Sequence, residues 1–314
     1  PRPAFAAVVT TVDLTTRIGS VTLPNPVMTA SGTAGHGTEL SAYVDLSALG
    51  AVVVKSLSAE PWPGNPAPRV HETPSGMLNS VGLHGPGVAA WLEDDLPALL
   101  ATGARVVASV WGRSVDDYAK AASMLADAPE EVVAVEVNLS CPNVEDRNDV
   151  FAHSASATED AIEATAECRR PRWAKLSPNV TDLPAMAAAA RAGGAEAVTL
   201  INTVMGLAID PATRRPRLGG GGGGLSGRAI HPVAVRAVHD CRVAHPDLPI
   251  VGVGGVATGE DAVELLLAGA SAVQVGTAIF ADPRAPTKVL RQLETWCRRQ
   301  ATPLEDIIGG AHGR

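Results

Sequence analysis

Short runs of aliphatic and β-branched residues recur along the chain, each cut off by a polar or glycine-rich break. Each break leads into a stretch whose apolar positions fall three and four apart. The runs near 27–30, 51–55, 106–110, 132–138, 173–176, 197–202, 250–254 and 272–276 predict strands. The stretches at 39–49, 87–101, 115–128, 157–170, 182–192, 229–244, 259–268 and 285–298 predict helices. Strands that are apolar at nearly every position belong to parallel sheets covered by helices on both faces. Eight strand–helix units in roughly 250–300 residues predict an α/β fold of the (β/α)8, or TIM-barrel, kind. The segment TRIGSVTLPNP predicts a hairpin ahead of the first barrel strand. No Pro/Ser-rich linker divides the chain, so residues 1–314 read as one domain.

Three connections are too long for plain strand-to-helix loops: the Pro-rich segment 56–86, then 139–156 and 203–228. They follow strands 2, 4 and 6. In a barrel such loops gather at the C-terminal end of the strands, where barrel enzymes carry their chemistry. The run of six glycines at 219–224 reads, for most of its length, as a floppy insertion.

Composition narrows the function. The chain is 46% hydrophobic and 18% charged, enough to bury a large core, but only 3% aromatic. A flat ligand would therefore meet few rings to stack on. The net charge of −8 and the lack of a basic run argue against nucleic acid as a partner. No apolar stretch reaches the roughly 18 residues of a membrane span, and the segment PRPAFAAVVTTVDL reads as neither signal nor anchor. The four cysteines, Cys141, Cys168, Cys241 and Cys297, are far apart with no CxxC pair. That spacing predicts no metal site and fits a reducing, cytoplasmic setting. The last three fall in helical patterns and read as small buried side chains.

The strand ends carry the candidate chemistry: Ala30-Ser31-Gly32, Lys55-Ser56, Asn138, Lys175, Asn202-Thr203, then GVGG at 252–255 and Gly276-Thr277. The glycines after strands 7 and 8 would let backbone N–H groups approach a phosphate, the usual anion corner of a barrel. Lys55 and Lys175 end otherwise apolar strands, and a half-buried ammonium needs a counter-charge. With no acid adjacent in sequence, a bound anion is the expected partner. A structural ion pair with a distant acid and a Schiff-base lysine are the alternatives. Cys141, in VEVNLSCPNV, lies just past strand 4 at the active end, where a thiol serves as nucleophile or base. No hydrolase pattern surrounds the loop histidines, so base is the preferred role.

The strings EVNLSCPNV, WAKLSPNVTD, LINTVMG, GGLSGRAIHPVAVRAVHD and IVGVGGVATGEDAVELLLAGASAVQVGTAIFADP closely resemble the dihydroorotate dehydrogenases. So do NPVMTASGT, VVVKS and ETPSGMLNSVGL, and the likeness runs from about Arg17 to LEDIIGGAHG. It is to class I, most of all to the type B (NAD-linked) catalytic subunit. The membrane-linked class II has an N-terminal extension and normally serine at the place of Cys141.

The resemblance implies an FMN-containing enzyme of pyrimidine biosynthesis that oxidises (S)-dihydroorotate to orotate. By motif, Cys141 would take the C5 proton while hydride leaves C6 for flavin N5. Asn79, Asn138, Asn143, Asn202 and Thr203, with backbone at Gly82 and Leu83, would hold the substrate. Lys55 would lie near flavin and substrate as a second catalytic residue beside Cys141, and Lys175 would stabilise negative charge on the reduced flavin's pyrimidine portion. Ala30, Ser31, Ser56 and Ile201 would line the ring system, with Asn138 also touching it. Gly227, Gly254, Gly255, Gly276 and Thr277 would hold the ribityl phosphate. A type B chain implies a second subunit with FAD and a [2Fe–2S] cluster, in a heterotetramer, whereas type A relatives are homodimers that reduce fumarate at the same flavin.

The chain departs from that pattern twice. NSVGL continues as His84-Gly85-Pro86-Gly87, where relatives commonly have asparagine before the glycine. Strand 3 ends in ASVWG, with Ser109 and Trp111 where asparagine and a smaller residue are common. A paralogue acting on a related dihydropyrimidine or a modified pyrimidine is the alternative they raise. A flavin-free phosphate-binding lyase or isomerase using a lysine imine is a further one.

Overall fold

The computed structural model describes residues 12–140 and 151–313. Eight parallel strands form one sheet: β1 (Val27–Thr29), β2 (Val52–Val53), β3 (Val106–Val110), β4 (Val132–Asn138), β5 (Arg172–Leu176), β6 (Ala197–Leu200), β7 (Ile250–Val253) and β8 (Ala272–Val275). They neighbour one another in the order β1-β8-β7-β6-β5-β4-β3-β2. A parallel bridge between Met28 and Ala51 closes β1 onto β2, so the sheet is a barrel. At that seam the Thr29 hydroxyl accepts from Val53 N at 2.9 Å, in the place of a ladder carbonyl.

Side-chain alternation divides each strand between two cores. Val27, Val52, Val106, Val135, Ala174, Val198, Ile250 and Val273 face outward into one cluster with the covering helices. Met28, Ala51, Val53, Val107, Ala134, Trp173, Ala197, Val251 and Ala272 face inward and form the barrel floor. The predicted hairpin, Thr16–Ile18 with Val21–Leu23, plugs that floor with Ile18, Val21 and Leu23. Ile18 and Leu23 are wholly buried, and each such side chain stabilises by about 1.5–3 kcal/mol. The same alternation carries Glu136 and Asn138 inward above Ala134, and Lys175 inward above Trp173. The polar residues therefore sit on the floor's upper side, toward the strand ends.

Two expectations are corrected. The stretch 39–49 is not a helix: it is a series of turns closed by a single 3-10 turn, Leu46–Ala48. Its apolar spacing is real, since Leu40, Val44, Leu46 and Leu49 are all buried. Side chains fix turns at its two ends: Asp45 accepts from Ser47 N at 3.0 Å, and Glu39 accepts from His36 N at 2.9 Å and Gly37 N at 2.8 Å just before the stretch. Ser41 N and Tyr43 N bond back to Thr38 O and Leu40 O in turns.

The glycine run is not floppy either. Gly223–Ser226 is a strand lying between Val204–Gly206 and Gly76–Asn79, with Val70–Thr73 on the far edge of the same four-stranded sheet. Its neighbours come too close for side chains. A Cβ at Gly223 would stand 2.4 Å from Asn79 O, and one at Gly224 would stand 2.1 Å from Thr203 Oγ1. Gly224→Ala is expected to lower stability by about 1–3 kcal/mol, the usual cost of overpacking. Gly222→Ala should be near neutral, because the nearest atom to its Cβ is Gly206 O at 3.4 Å. Urea melts of the two variants check this, and equal losses would remove the steric account.

Candidate active site

The strand ends converge on one hydrogen-bonded chain at the mouth of the barrel. The Ser31 and Ser56 hydroxyls lie 3.2 Å apart, and Ser56 and Ser109 2.9 Å apart. Asn138 Nδ2 donates to Ser56 Oγ at 3.2 Å, while its Oδ1 accepts from Asn202 Nδ2 at 3.1 Å and from Ser140 N at 3.2 Å. Asn202 Oδ1 in turn accepts from Thr203 N at 2.9 Å. Residues from the ends of β1, β2, β3, β4 and β6 are thus linked through Asn138. That residue is itself fixed from behind, its carbonyl accepting from Tyr118 OH at 2.7 Å. An amide at the hub suits this position because it donates and accepts at once.

The excursion sheet forms the upper wall. Asn79 Nδ2 donates to Gly224 O at 3.3 Å, and Gly224 abuts Thr203. Asn179, which sequence reasoning did not single out, donates to Thr203 O at 3.0 Å and accepts from Met205 N at 2.9 Å. It pins the Asn202-Thr203 turn. Gly82 and Leu83 follow in the same excursion with positive φ of 70° and 61°. Gly82 lies directly against Asn65, where a Cβ would stand 2.6 Å from the Asn65 backbone nitrogen.

Lys55 is half-buried, and its backbone N–H donates to Gly35 O at 2.9 Å. Burial first, and the Lys55 charge second, hold His36 below the usual imidazole value. Lys175 is buried, and its partner is an acid after all. Its Nζ lies 3.5 Å from Glu136 Oε1, and Gln274 Nε2 donates to Glu136 Oε2 at 2.7 Å. The expected anion counter-charge of Lys175 is therefore corrected to an ion pair across neighbouring strands, since Glu136 projects inward on β4 beside β5. Cys141 and Asn143 lie outside the described residues.

The glycine corner is also assembled. Gly227, Gly254 and Gly255 have positive φ of 91°, 135° and 73°. A Cβ at Gly255 would lie 3.0 Å from Gly227 O, and one at Gly227 would lie 3.5 Å from Thr277 Cγ2. Thr277 Oγ1 donates to Ser226 Oγ at 2.8 Å. Gly276 stands against Ala30, and Gly254 against Ile201, with Cβ approaches of 3.1 and 3.5 Å. Side chains are excluded from this cradle, and the N-terminus of the 14-residue helix His231–Ala244 starts beside it. Bare backbone donors and a positive helix end together suit a phosphate. Sequence reasoning missed His231, whose Nδ1 lies 2.8 Å from Gly254 O and whose Nε2 lies 3.1 Å from Glu264 Oε2.

The helix after β7 is held by a capping box between Thr258 and Asp261. Burial would raise the Asp261 pKa, but bonds from Ala257 N at 2.9 Å, Thr258 N at 2.7 Å and Thr258 Oγ1 at 2.9 Å outweigh it and hold the carboxyl below its ordinary value. A depressed folded pKa gives stability that is complete above the ordinary carboxylate range and lost as pH falls through the folded value. Asp261→Asn should therefore cost about 1–2 kcal/mol at pH 7, with the gap to the parent chain closing in acid. Melts across pH 2–7 check it, and a gap independent of pH would contradict it.

The two departures turn out to be one unit. Trp111 is buried and packs edge-on against Trp62, with centroids 5.7 Å apart, and Arg113 covers the Trp62 ring at 4.6 Å. Trp62 exchanges backbone bonds of 2.9 and 3.0 Å with Gly85. The other three cysteines are buried, which raises the Cys168 and Cys297 thiols and pushes Cys241 up to about 12, with Asp240 and Asp182 adding to it. Among the described residues no helix is long and apolar enough to cross a membrane.

A closed (β/α)8 barrel with a glycine cradle beside a helix N-terminus and a ring of amides and hydroxyls is the architecture of a barrel enzyme, with the candidate site at the strand C-termini. A family model described as dihydroorotate dehydrogenase matches residues 13–296, and the chain belongs to that family. It is 48% identical over 294 residues to the "Dihydroorotate dehydrogenase B (NAD(+)), catalytic subunit" of Alkaliphilus oremlandii, covering 93% of this chain and 96% of that one. It is 46% identical to the protein of the same description from Desulforudis audaxviator, covering 94% and 96%. It is also 45% identical to a "Putative dihydroorotate dehydrogenase A (fumarate)" of Solibacter usitatus, covering 95% and 98%.

Proposed function

We propose that this chain oxidises (S)-dihydroorotate to orotate in pyrimidine biosynthesis with a bound FMN, as the catalytic subunit of a type B enzyme in the cytoplasm. The observation that carries the site assignment is the unbroken chain Ser31–Ser56–Asn138–Asn202 standing beside the glycine cradle. Its chemistry fits the cofactor: the cradle takes a phosphate, and the amides and hydroxyls take a ring edge of mixed donors and acceptors.

When bound, FMN supplies the two-electron acceptor for the hydride lost from C6. The chain supplies the rest. Gly227, Gly254, Gly255, Gly276 and Thr277 hold the phosphate, and Ala30, Ser31, Ser56 and Ile201 line the ring system. Asn79, Asn138, Asn143, Asn202 and Thr203 fix the pyrimidine amides and carboxylate, with Gly82 and Leu83 closing over them. Fixing the ring sets the C5–H bond in one direction, which is where orientation lowers the barrier. Cys141 Sγ then takes the C5 proton as general base. Lys55 adds positive charge where the substrate carboxylate and the developing charge meet.

For the acceptor, the type B reading follows the descriptions of most of the similar proteins above, and it implies a separate electron-transfer subunit carrying FAD and a [2Fe–2S] cluster. Two measurements test the proposal. Acid release and mass analysis should identify FMN, and the chain alone should reduce an artificial dye with dihydroorotate but reduce neither NAD⁺ nor fumarate. FAD in the extract would overturn the cofactor, and rapid fumarate reduction by the chain alone would make it type A.

A further inference from the structure

Inside the barrel, below the hydrogen-bonded ring, three polar side chains meet above the apolar floor of Val107, Ala134, Trp173 and Val251, with Ser109 and Thr199 beside them in register. Glu136 of β4 is 0% exposed, Gln274 of β8 is 0% exposed and Lys175 of β5 is 5% exposed. The Lys175–Glu136 pair spans 3.5 Å, and Gln274 reaches across the barrel to hold the other carboxylate oxygen at 2.7 Å. A buried ion pair is poor value for stability alone, because well-packed apolar residues of similar volume serve as well or better. Its presence directly under a site asks for another purpose.

The geometry supplies one. In register, Lys175 pairs with Asn138 on one side and with Thr199 on the other, while Glu136 lies two residues deeper on β4. The ammonium thus stands between a fixed carboxylate below and the Asn138 ring above. At 3.5 Å the two charges attract without forming the 2.7–2.9 Å contact of a charge-assisted hydrogen bond. The carboxylate cannot swing up to close that distance while Gln274 holds it.

We propose that Glu136 is a positioning residue for Lys175: it anchors the ammonium under the flavin and sets how much of its positive charge the flavin feels. This rests on the proposed FMN-dependent function and on the role that the resemblance implies for Lys175, stabilising the reduced flavin. A reduced flavin carries more negative charge than an oxidised one, so a nearby positive charge favours reduction and a nearby negative charge opposes it. In a low-dielectric interior these terms are larger than in water. Glu136 therefore moderates the pull of Lys175 on the flavin's electrons, and Gln274 fixes the degree of moderation.

The test is the midpoint potential of the bound flavin in the whole chain, titrated anaerobically against a reference dye at pH 7. Glu136→Gln should move the potential to more positive values and Lys175→Gln to more negative ones. Glu136→Asp keeps the charge but draws it back by one methylene. It should shift the potential in the same direction as Glu136→Gln, by less, and it decides the question should the Gln variant fail to fold. A purely structural role would weaken flavin binding without giving shifts of opposite sign. A Glu136 variant whose potential equals that of the parent, or moves with Lys175→Gln, overturns the proposal. A parent chain that binds no flavin would instead overturn the assignment of Lys175 beneath it.

Discussion

Cys141→Ala is expected to keep its flavin and lose turnover by roughly 10²–10⁴-fold, the usual contribution of a positioned general base. The C5 proton of a dihydropyrimidine is held by carbon, so without a base in place the step falls to water. The flavin should stay because its cradle is built from Gly227, Gly254, Gly255 and Thr277, none of which needs the thiol. The parent's rate should also climb with pH toward the ordinary thiol value of about 8.5, since only the thiolate can accept the proton. Stopped-flow bleaching of the flavin by dihydroorotate, run from pH 6 to 9.5, measures both effects on the chemical step itself. An alanine variant that bleaches as fast as the parent would take Cys141 out of the mechanism.

Lys175→Met should lower stability by about 3–5 kcal/mol, the cost of leaving a buried charge without its partner. Glu136 would then keep only the Gln274 amide of the two contacts described for it. The double variant Lys175→Met with Glu136→Leu should recover much of that loss, because the pair removed together leaves no orphaned charge. Urea melts of the two variants decide it. If the double variant is less stable than Lys175→Met alone, the ion pair is not the source of the penalty.

The barrel could be read from the chain because its eight strands are aliphatic at almost every position and the breaks between them are polar. The convergence of polar strand ends into one hydrogen-bonded ring could be read for the same reason: polar residues that end apolar strands have few other places to go. Three things could not be read this way. The stretch 39–49 has helical spacing, but Glu39 and Asp45 accept from nearby backbone N–H groups and hold it in turns. The glycine run looks featureless until Asn79 and Thr203, distant in sequence, are seen to press against it. Ser109 and His231 gain their roles only through partners on other strands and helices. Glu136 did carry a signal: a charged residue two places before Asn138, on the same face of a buried strand, has to be paired.

The central claim is that this site takes electrons from dihydroorotate. The direct measurement is an anaerobic titration of the purified chain with dihydroorotate, following the flavin absorbance. Bleaching that is complete at one equivalent per flavin is the predicted result. A flavin that dithionite bleaches and dihydroorotate does not would contradict it, leaving the barrel and its cofactor in place and the substrate a different one.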